Sequence, residues 1–249
     1  MQLLSGLQNK VVLITGGASG IGRACAASVV ASGGLAVCAD LQEGEPLPTG
    51  SVFERLDVTD WEMTQSVVAR VLQQYGQIDG LVTSAGISAV GYLQQMDLMQ
   101  WQRVLTVNLT GSMLSMRAVA AHMQQRGQGS MVAIASMNGM LGNPSNVAYC
   151  TSKAGVIQLV RSVAADVGRY GVRVNSISPG LIRTPMTAML DAMPARSAFE
   201  KQHLLGRCGE AREVGDVAAF LLSDLASFIT GVNLPVDGGF TAAKVVELF

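Results

Sequence analysis

Apolar and β-branched residues along the chain gather in short runs separated by longer stretches of helical periodicity. VVLIT (Val11 to Thr15), LAVCA (Leu35 to Ala39), SVFER (Ser51 to Arg55), GLVTS (Gly80 to Ser84), MVAIA (Met131 to Ala135), VRVNSI (Val172 to Ile177) and NLPVD (Asn233 to Asp237) read as strands. Helices are predicted near Ile21 to Ser32, Trp61 to Tyr75, Leu98 to Arg126, Tyr149 to Tyr170 and Ala211 to Leu222. Such βα alternation builds a mostly parallel, seven-stranded sheet with helices on both faces, an α/β domain of the doubly wound type. The segment LQEGEPLPTG (41–50) breaks the pattern, since two prolines and two glycines cannot hold a crossover helix. That face of the sheet is expected to be thinly covered.

The 249 residues contain no low-complexity or linker-like stretch, so a single domain over 1–249 is the simplest organisation. Hydrophobic residues make up 49% and charged residues 14%, with a mean hydropathy of +0.35. No run reaches the roughly 18 apolar residues of a membrane span, which assigns the excess to a buried sheet and apolar subunit contacts. A net charge of −1 with scattered acids and bases gives neither a nucleic-acid footprint nor a polybasic membrane patch. The N-terminal MQLLSGLQNK lacks a signal-peptide pattern, and a cytoplasmic location is expected. Cys25, Cys38, Cys150 and Cys208, with His122 and His203, are too dispersed for a disulfide framework or a zinc site, so no metal is predicted.

Candidate chemistry begins at the end of the first strand, in TGGASGIG (Thr15 to Gly22). Glycines 16, 20 and 22 permit a tight turn and let a pyrophosphate approach a helix N-terminus, where free N–H groups and the helix dipole favour negative charge. Asp40 ends the second strand about 20 residues on, where a carboxylate would bond the adenosine ribose hydroxyls and repel a 2′-phosphate. No basic residue in Gly17 to Ser19 or beside Asp40 reverses that preference, which selects NAD(H).

In AYCTSKAG (Ala148 to Gly155), Tyr149 and Lys153 lie four residues apart and therefore on one helix face. Packing alone could account for the pair, because both side chains tolerate half-buried sites. Ser136, however, stands 13 residues before the tyrosine, at the end of the fifth strand, on the sheet edge where ligands bind in parallel sheets. With TGGASGIG, Ser136, YCTSK, Asn108 of TVNLTG and the SPG of Ser178 to Gly180 in order, the chain resembles the short-chain dehydrogenase/reductase family over essentially its whole length.

That resemblance implies a Rossmann-like fold and a catalytic tetrad of Asn108, Ser136, Tyr149 and Lys153. Tyr149 would be the general acid/base and Lys153 the cation that lowers its pKa and bonds the nicotinamide ribose. A tyrosine with the ordinary pKa of about 10 is otherwise a poor base near neutrality. Ser136 would hold the substrate oxygen, and Asn108 would support a water leading protons from Lys153 to solvent. The implied cofactor contacts are Gly16, Ser19, Gly20, Ile21, Gly22, Asp40, Asp57, Val58, Ser84, Ala85, Gly86, Tyr149, Lys153, Pro179, Gly180, Ile182 and Thr184. Asp57 could instead start the following helix. The loop TSAG (Thr83 to Gly86) departs from the family's NNAG, so side-chain hydrogen bonds that steady it are expected to be lost.

Substrate choice is left to the rim: Ile87 to Tyr92, Met137 to Asn146, and a lid at about 183–206 carrying Met186, Met189, Leu190, Met193 and Phe199. Methionines adapt to irregular apolar shapes, which suits a neutral, partly apolar alcohol or ketone. The resemblance further implies a homotetramer, or failing that a dimer, built through helices around Asn108 to Met123 and Tyr149 to Tyr170 and through Asp237 to Phe249. Two other readings stand beside a secondary-alcohol dehydrogenase. One is a 3-oxoacyl carrier-protein reductase; the other is a catalytically silent dinucleotide sensor or scaffold.

Overall fold

The computed structural model of the chain describes residues 6–44, 46–190 and 195–243. Seven parallel strands form the central sheet: β1 (Val11–Thr15), β2 (Leu35–Asp40), β3 (Ser51–Arg55), β4 (Gly80–Thr83), β5 (Gly129–Ile134), β6 (Val172–Pro179) and, last in the chain, β9 (Asn233–Val236). Their order is β3-β2-β1-β4-β5-β6-β9, with Val12 beside both Ala36 and Gly80 and Val132 beside both Val82 and Asn175. A two-residue ladder between β7 (Ile182–Arg183) and β8 (Gly209–Glu210) lies outside this sheet.

The apolar runs are continuous because each strand feeds two cores. Val11 and Leu13 of β1 join Leu81, Met131 and Val174 on the face covered by α2 (Trp61–Tyr75), α4 (Gly111–Arg126) and α5 (Val147–Val167). Val12 and Ile14 pack with Val82, Val132 and Ile177 under α1 (Gly20–Ala31) and α7 (Ala211–Leu222). Each such side chain, fully removed from water, contributes roughly 1.5–3 kcal/mol. The described residues of the 41–50 segment form no helix, and β3 beyond it is only half-buried, as its composition predicts.

The helix predicted over Leu98 to Arg126 is interrupted. It runs as α3 (Leu98–Leu105), a π turn at Thr106–Thr110, and then α4. The π turn inserts one residue into the helical ladder, a feature that often marks functional positions, and Asn108 at its centre is fully buried. By length and composition this stretch is apolar enough to cross a membrane. In the fold, however, Val104, Met116, Val119 and Met123 are buried within the domain. After β7, a 3₁₀ turn (Pro185–Leu190) and the short α6 (Ala195–Gln202) form the segment expected to cover the site. Met193, one of the lid methionines, lies outside the described residues, as does the tail beyond residue 243.

Candidate active site

The strand order reverses between β1 and β4, and a cleft of about 820 Å³ opens along the C-terminal strand ends across that point. This is where open parallel sheets bind ligands. The turn after β1 brings Gly16, Ser19, Gly20 and Ile21 to its wall, and β2 brings Asp40. Asp57 and Val58 follow from β3, and Ser84, Ala85 and Gly86 from β4. Ser136, Tyr149 and Lys153 stand opposite Pro179, Gly180, Ile182 and Thr184.

Gly22 and Asn108 do not line the cleft; both act from behind it. A Cβ on Gly22 would collide with the Gly16 carbonyl oxygen, so this glycine lets α1 start directly under the turn. Gly16 itself sits at φ +67°, and a Cβ there would lie 2.6 Å from Ala85 N, where the β1 and β4 loops meet.

Helix α1 has an open end. Ser19 at its N-cap makes no side-chain cap, and no acidic residue occupies the first turn. By contrast, Asp60 caps α2 by accepting the Met63 N–H at 2.9 Å, and Glu213 of α7 accepts the Glu210 N–H at 2.8 Å. Asp57 is therefore not the helix cap; its carboxylate accepts from Thr59 N and Oγ1 at 2.9 and 2.7 Å and stays on the cleft wall. The Asp40 carboxylate accepts the Ala18 N–H at 3.1 Å and the Leu41 N–H at 2.8 Å, tying the glycine turn to β2. Arg23 reaches across the 41–50 segment to the Pro46 carbonyl, at 2.8 Å from NH2. The cations on the described cleft wall are Arg103 and Lys153.

At the other end, Lys153 is buried, with Nζ donating to Ile134 O at 2.8 Å and lying 5.7 Å from the Tyr149 ring centroid. Desolvation lowers its pKa to about 8. Tyr149 differs from expectation, because its pKa is raised: burial penalises the phenolate more than the Ser136 hydrogen bond favours it. Proximity to Lys153 does not reverse that penalty in the protein alone. Ser136 Oγ accepts the Asn138 N–H at 3.1 Å, and its own O–H is the donor that faces Tyr149.

The Asn108 side chain is fully engaged. Oδ1 accepts the Ile87 N–H at 2.8 Å, while Nδ2 donates to Ile87 O at 2.9 Å and to Ser152 Oγ at 3.0 Å. Its polar atoms clamp the β4 loop to α5 instead of facing the cleft. The clamp also steadies the TSAG loop, where the hydroxyl of Thr83 is buried without a partner.

The cleft fits a dinucleotide on features of its own. The open end of α1 offers N–H groups to a pyrophosphate. Gly86 leaves a face that a Cβ would fill, 3.3 Å from Asn108 Oδ1 and 3.5 Å from Lys153 Nζ.

A family model described as enoyl-(acyl carrier protein) reductase, of the short-chain dehydrogenase/reductase group, matches residues 16–241. The chain belongs to the short-chain dehydrogenase/reductase family. Trans-4-hydroxycyclohexanecarboxylate dehydrogenase of Sinomonas cyclohexanicum is 39% identical over 250 residues, covering 94% of each chain. The 3-oxoacyl-[acyl-carrier-protein] reductase of Thermotoga maritima is 38% identical, over 94% of this chain and 98% of that one. The solved structure of gox2181 superposes with a TM-score of 0.92 at 36% identity, over 96% of this chain and 98% of that one. As a member of this family of dehydrogenases and reductases, the protein is an oxidoreductase dependent on a nicotinamide dinucleotide.

Proposed function

We propose that this short-chain dehydrogenase/reductase is NAD(H)-dependent and interconverts a secondary alcohol and a ketone, with Tyr149 as general acid/base. The observation that carries the reading is the group of buried Ser136, buried Lys153 and half-buried Tyr149, joined in one cleft to the open end of α1. When bound, the dinucleotide supplies the hydride acceptor or donor and, oxidised, a positively charged ring. Ser136, whose O–H faces Tyr149 in the protein alone, turns that donor to the substrate oxygen. Tyr149 gives a proton to that oxygen in reduction and removes it in oxidation. Its raised pKa favours the donating role, and Lys153, still mostly protonated below about pH 8, offsets that bias for oxidation. Two ammonium hydrogens of Lys153 remain for the nicotinamide ribose and the phenol oxygen, because Ile134 O takes only one. Asn108 contributes by fixing the loop beneath this group.

Asp40 supports NAD(H) over NADP(H), because a carboxylate at the end of β2 repels a 2′-phosphate. The substrate class follows from the rim, where Ile87, Met99, Pro185 and Met186 present apolar surface to the cleft. A neutral ring alcohol or ketone suits that wall, and the relative named for trans-4-hydroxycyclohexanecarboxylate supports the ring alcohol, its own substrate adding a carboxylate. The carrier-protein reductase reading draws on the Thermotoga maritima relative; Asp40 and the near-neutral charge balance oppose it.

We further propose a homotetramer in the cytoplasm. Leu225 and the fully exposed Phe228 lead into edge strand β9, an apolar surface that a second copy can cover. The four free cysteines accord with a reducing compartment, and burial raises Cys25 to about 12 and Cys38 to about 11, leaving them unreactive.

The test is a titration with NADH and NADPH, followed by absorbance at the reduced-nicotinamide band with a panel of secondary alcohols that includes trans-4-hydroxycyclohexanecarboxylate. Tighter NADH binding, with turnover lost in Tyr149→Phe, is expected. Tighter NADPH binding would support the carrier-protein reductase reading, and retained turnover in the variant would remove Tyr149 from the chemistry.

A further inference from the structure

His203 follows the C-terminus of α6 and is buried, with both ring nitrogens engaged. Nδ1 lies 2.9 Å from Phe199 O, within the lid helix, and Nε2 lies 3.2 Å from Leu181 N. A carbonyl can only accept and a backbone N–H can only donate. Nδ1 must therefore carry the proton and Nε2 the lone pair, so the neutral Nδ1–H tautomer alone satisfies both contacts.

The two contacts join α6 to the Leu181 turn, beside an ion pair from Arg183 to Glu200 and a bond from Gly209 N to Leu181 O. Leu181 follows Pro179 and Gly180, which line the cleft. Phe199 belongs to α6, in the segment expected from the sequence to cover the substrate rim. On a third side, the imidazole packs against Phe240 with ring centroids 5.0 Å apart. Gly180 makes the close fit possible, since a Cβ there would fall 2.9 Å from Nε2 and 2.8 Å from Asp237 Cα. Asp237 accepts within its own turn from Gly239 N, Thr241 N and Thr241 Oγ1 at 2.9, 2.9 and 2.6 Å. The Leu181 N–H is the hydrogen-bond partner of Nε2. Arg207 and Glu213, which share the small cavity of about 330 Å³ beside the ring, are paired with each other at 2.7 Å.

We propose that His203 is a positioning residue: its Nδ1–H tautomer latches helix α6 to the Pro179–Leu181 turn and thereby sets the substrate lid against the nicotinamide end of the cleft. The reach into catalysis rests on the dehydrogenase reading above, whereas the latch itself does not.

Three measurements separate the two. In the unmodified protein, imidazole nitrogen NMR shifts at His203 should report the Nδ1–H form. The Nε2–H or doubly protonated form near neutral pH would overturn the latch without recourse to a variant. Hydrogen exchange should then be compared in His203→Phe, which keeps a ring against Phe240, and His203→Gln, whose carbonyl can accept the Leu181 N–H. At least tenfold faster exchange at Leu181 is expected in His203→Phe, with protection largely restored in His203→Gln and β1 unchanged. Equal exchange at Leu181 in the unmodified protein and His203→Phe would overturn the proposal, as would equal loss in both variants. Finally, with an alcohol turned over in the assay above, KM should rise about tenfold in His203→Phe while kcat falls less than threefold and NADH affinity holds. Unchanged KM beside altered exchange would overturn the positioning role. Failure of the unmodified protein to bind NADH would count against the dehydrogenase reading while leaving the exchange test of the latch intact.

Discussion

The dinucleotide half of the cleft is built at strand ends, whereas the substrate rim hangs on loops and one short helix. Gly16, Asp40 and Ala85 each stand within a residue or two of a central strand, held by its ladder and by bonds such as Asp40 to Ala18 N. Across the cleft, Met99 and Met186 stay well exposed, and α6 is anchored through His203 and an ion pair from Arg183 to Glu200. A fixed ligand shared by many reactions calls for a rigid cradle. A ligand that differs from one enzyme to the next can be accommodated by changing loop side chains over the same sheet.

This division predicts that substitutions act on one half at a time. The largest effect belongs to Tyr149→Phe, at the junction: turnover should fall about 10²- to 10⁴-fold, with NADH affinity within threefold of normal in a fluorescence titration. Asp40→Ala should come next, weakening NADH binding about tenfold, an estimate corresponding to roughly one lost charge-assisted hydrogen bond. It should narrow the preference over NADPH and leave the relative rates among alcohols unchanged. Met186→Ala should produce the smallest functional change, a KM shift of a few fold with no change in NADH affinity. If Met186→Ala weakened NADH as much as Asp40→Ala does, the two halves would not be separable.

A stability measurement sharpens the same contrast. The folded pKa of Lys153, about 8, lies below the ordinary value of 10.5. Between these values the unfolded chain binds more protons, so this group makes the fold more stable as pH rises from about 8 toward 10.5. Denaturant melts at pH 8 and 10 should show a smaller gain in Lys153→Met than in the unmodified protein. An equal gain would assign the effect to other groups.

The rigid half was the legible half. Glycine spacing after a strand and an acid at the next strand end follow from backbone geometry and charge, so Gly16, Gly22 and Asp40 can be read as letters. Tyr149, Lys153 and Ser136 became legible once three strand ends could be aligned. The direction of the Tyr149 pKa was not, because it depends on how deeply the ring is buried. Nor was the Asn108 clamp, since an asparagine in TVNLTG does not reveal which neighbour its amide faces. His203 left no signal beyond its rarity: its function comes from contacts to backbone atoms of Leu181 and Phe199, which any residues at those positions could provide. The π turn likewise has no compositional mark, and the periodicity of Leu98 to Arg126 reads as one helix.

That π turn gives the long helix two independent phases. A single extra residue sets everything beyond Thr110 back by about 100° relative to an uninterrupted helix. Met99, Gln102, Arg103 and Thr106 can face the cleft while Met116, Val119 and Met123 face the core. Removing one residue between 106 and 110 would take out the widened turn that seats Asn108 and join the two halves as a regular helix, with the cleft-facing and core-facing stripes keeping their places. The turn works as a phase shifter, allowing the active-site wall and the hydrophobic core to be specified separately along one axis.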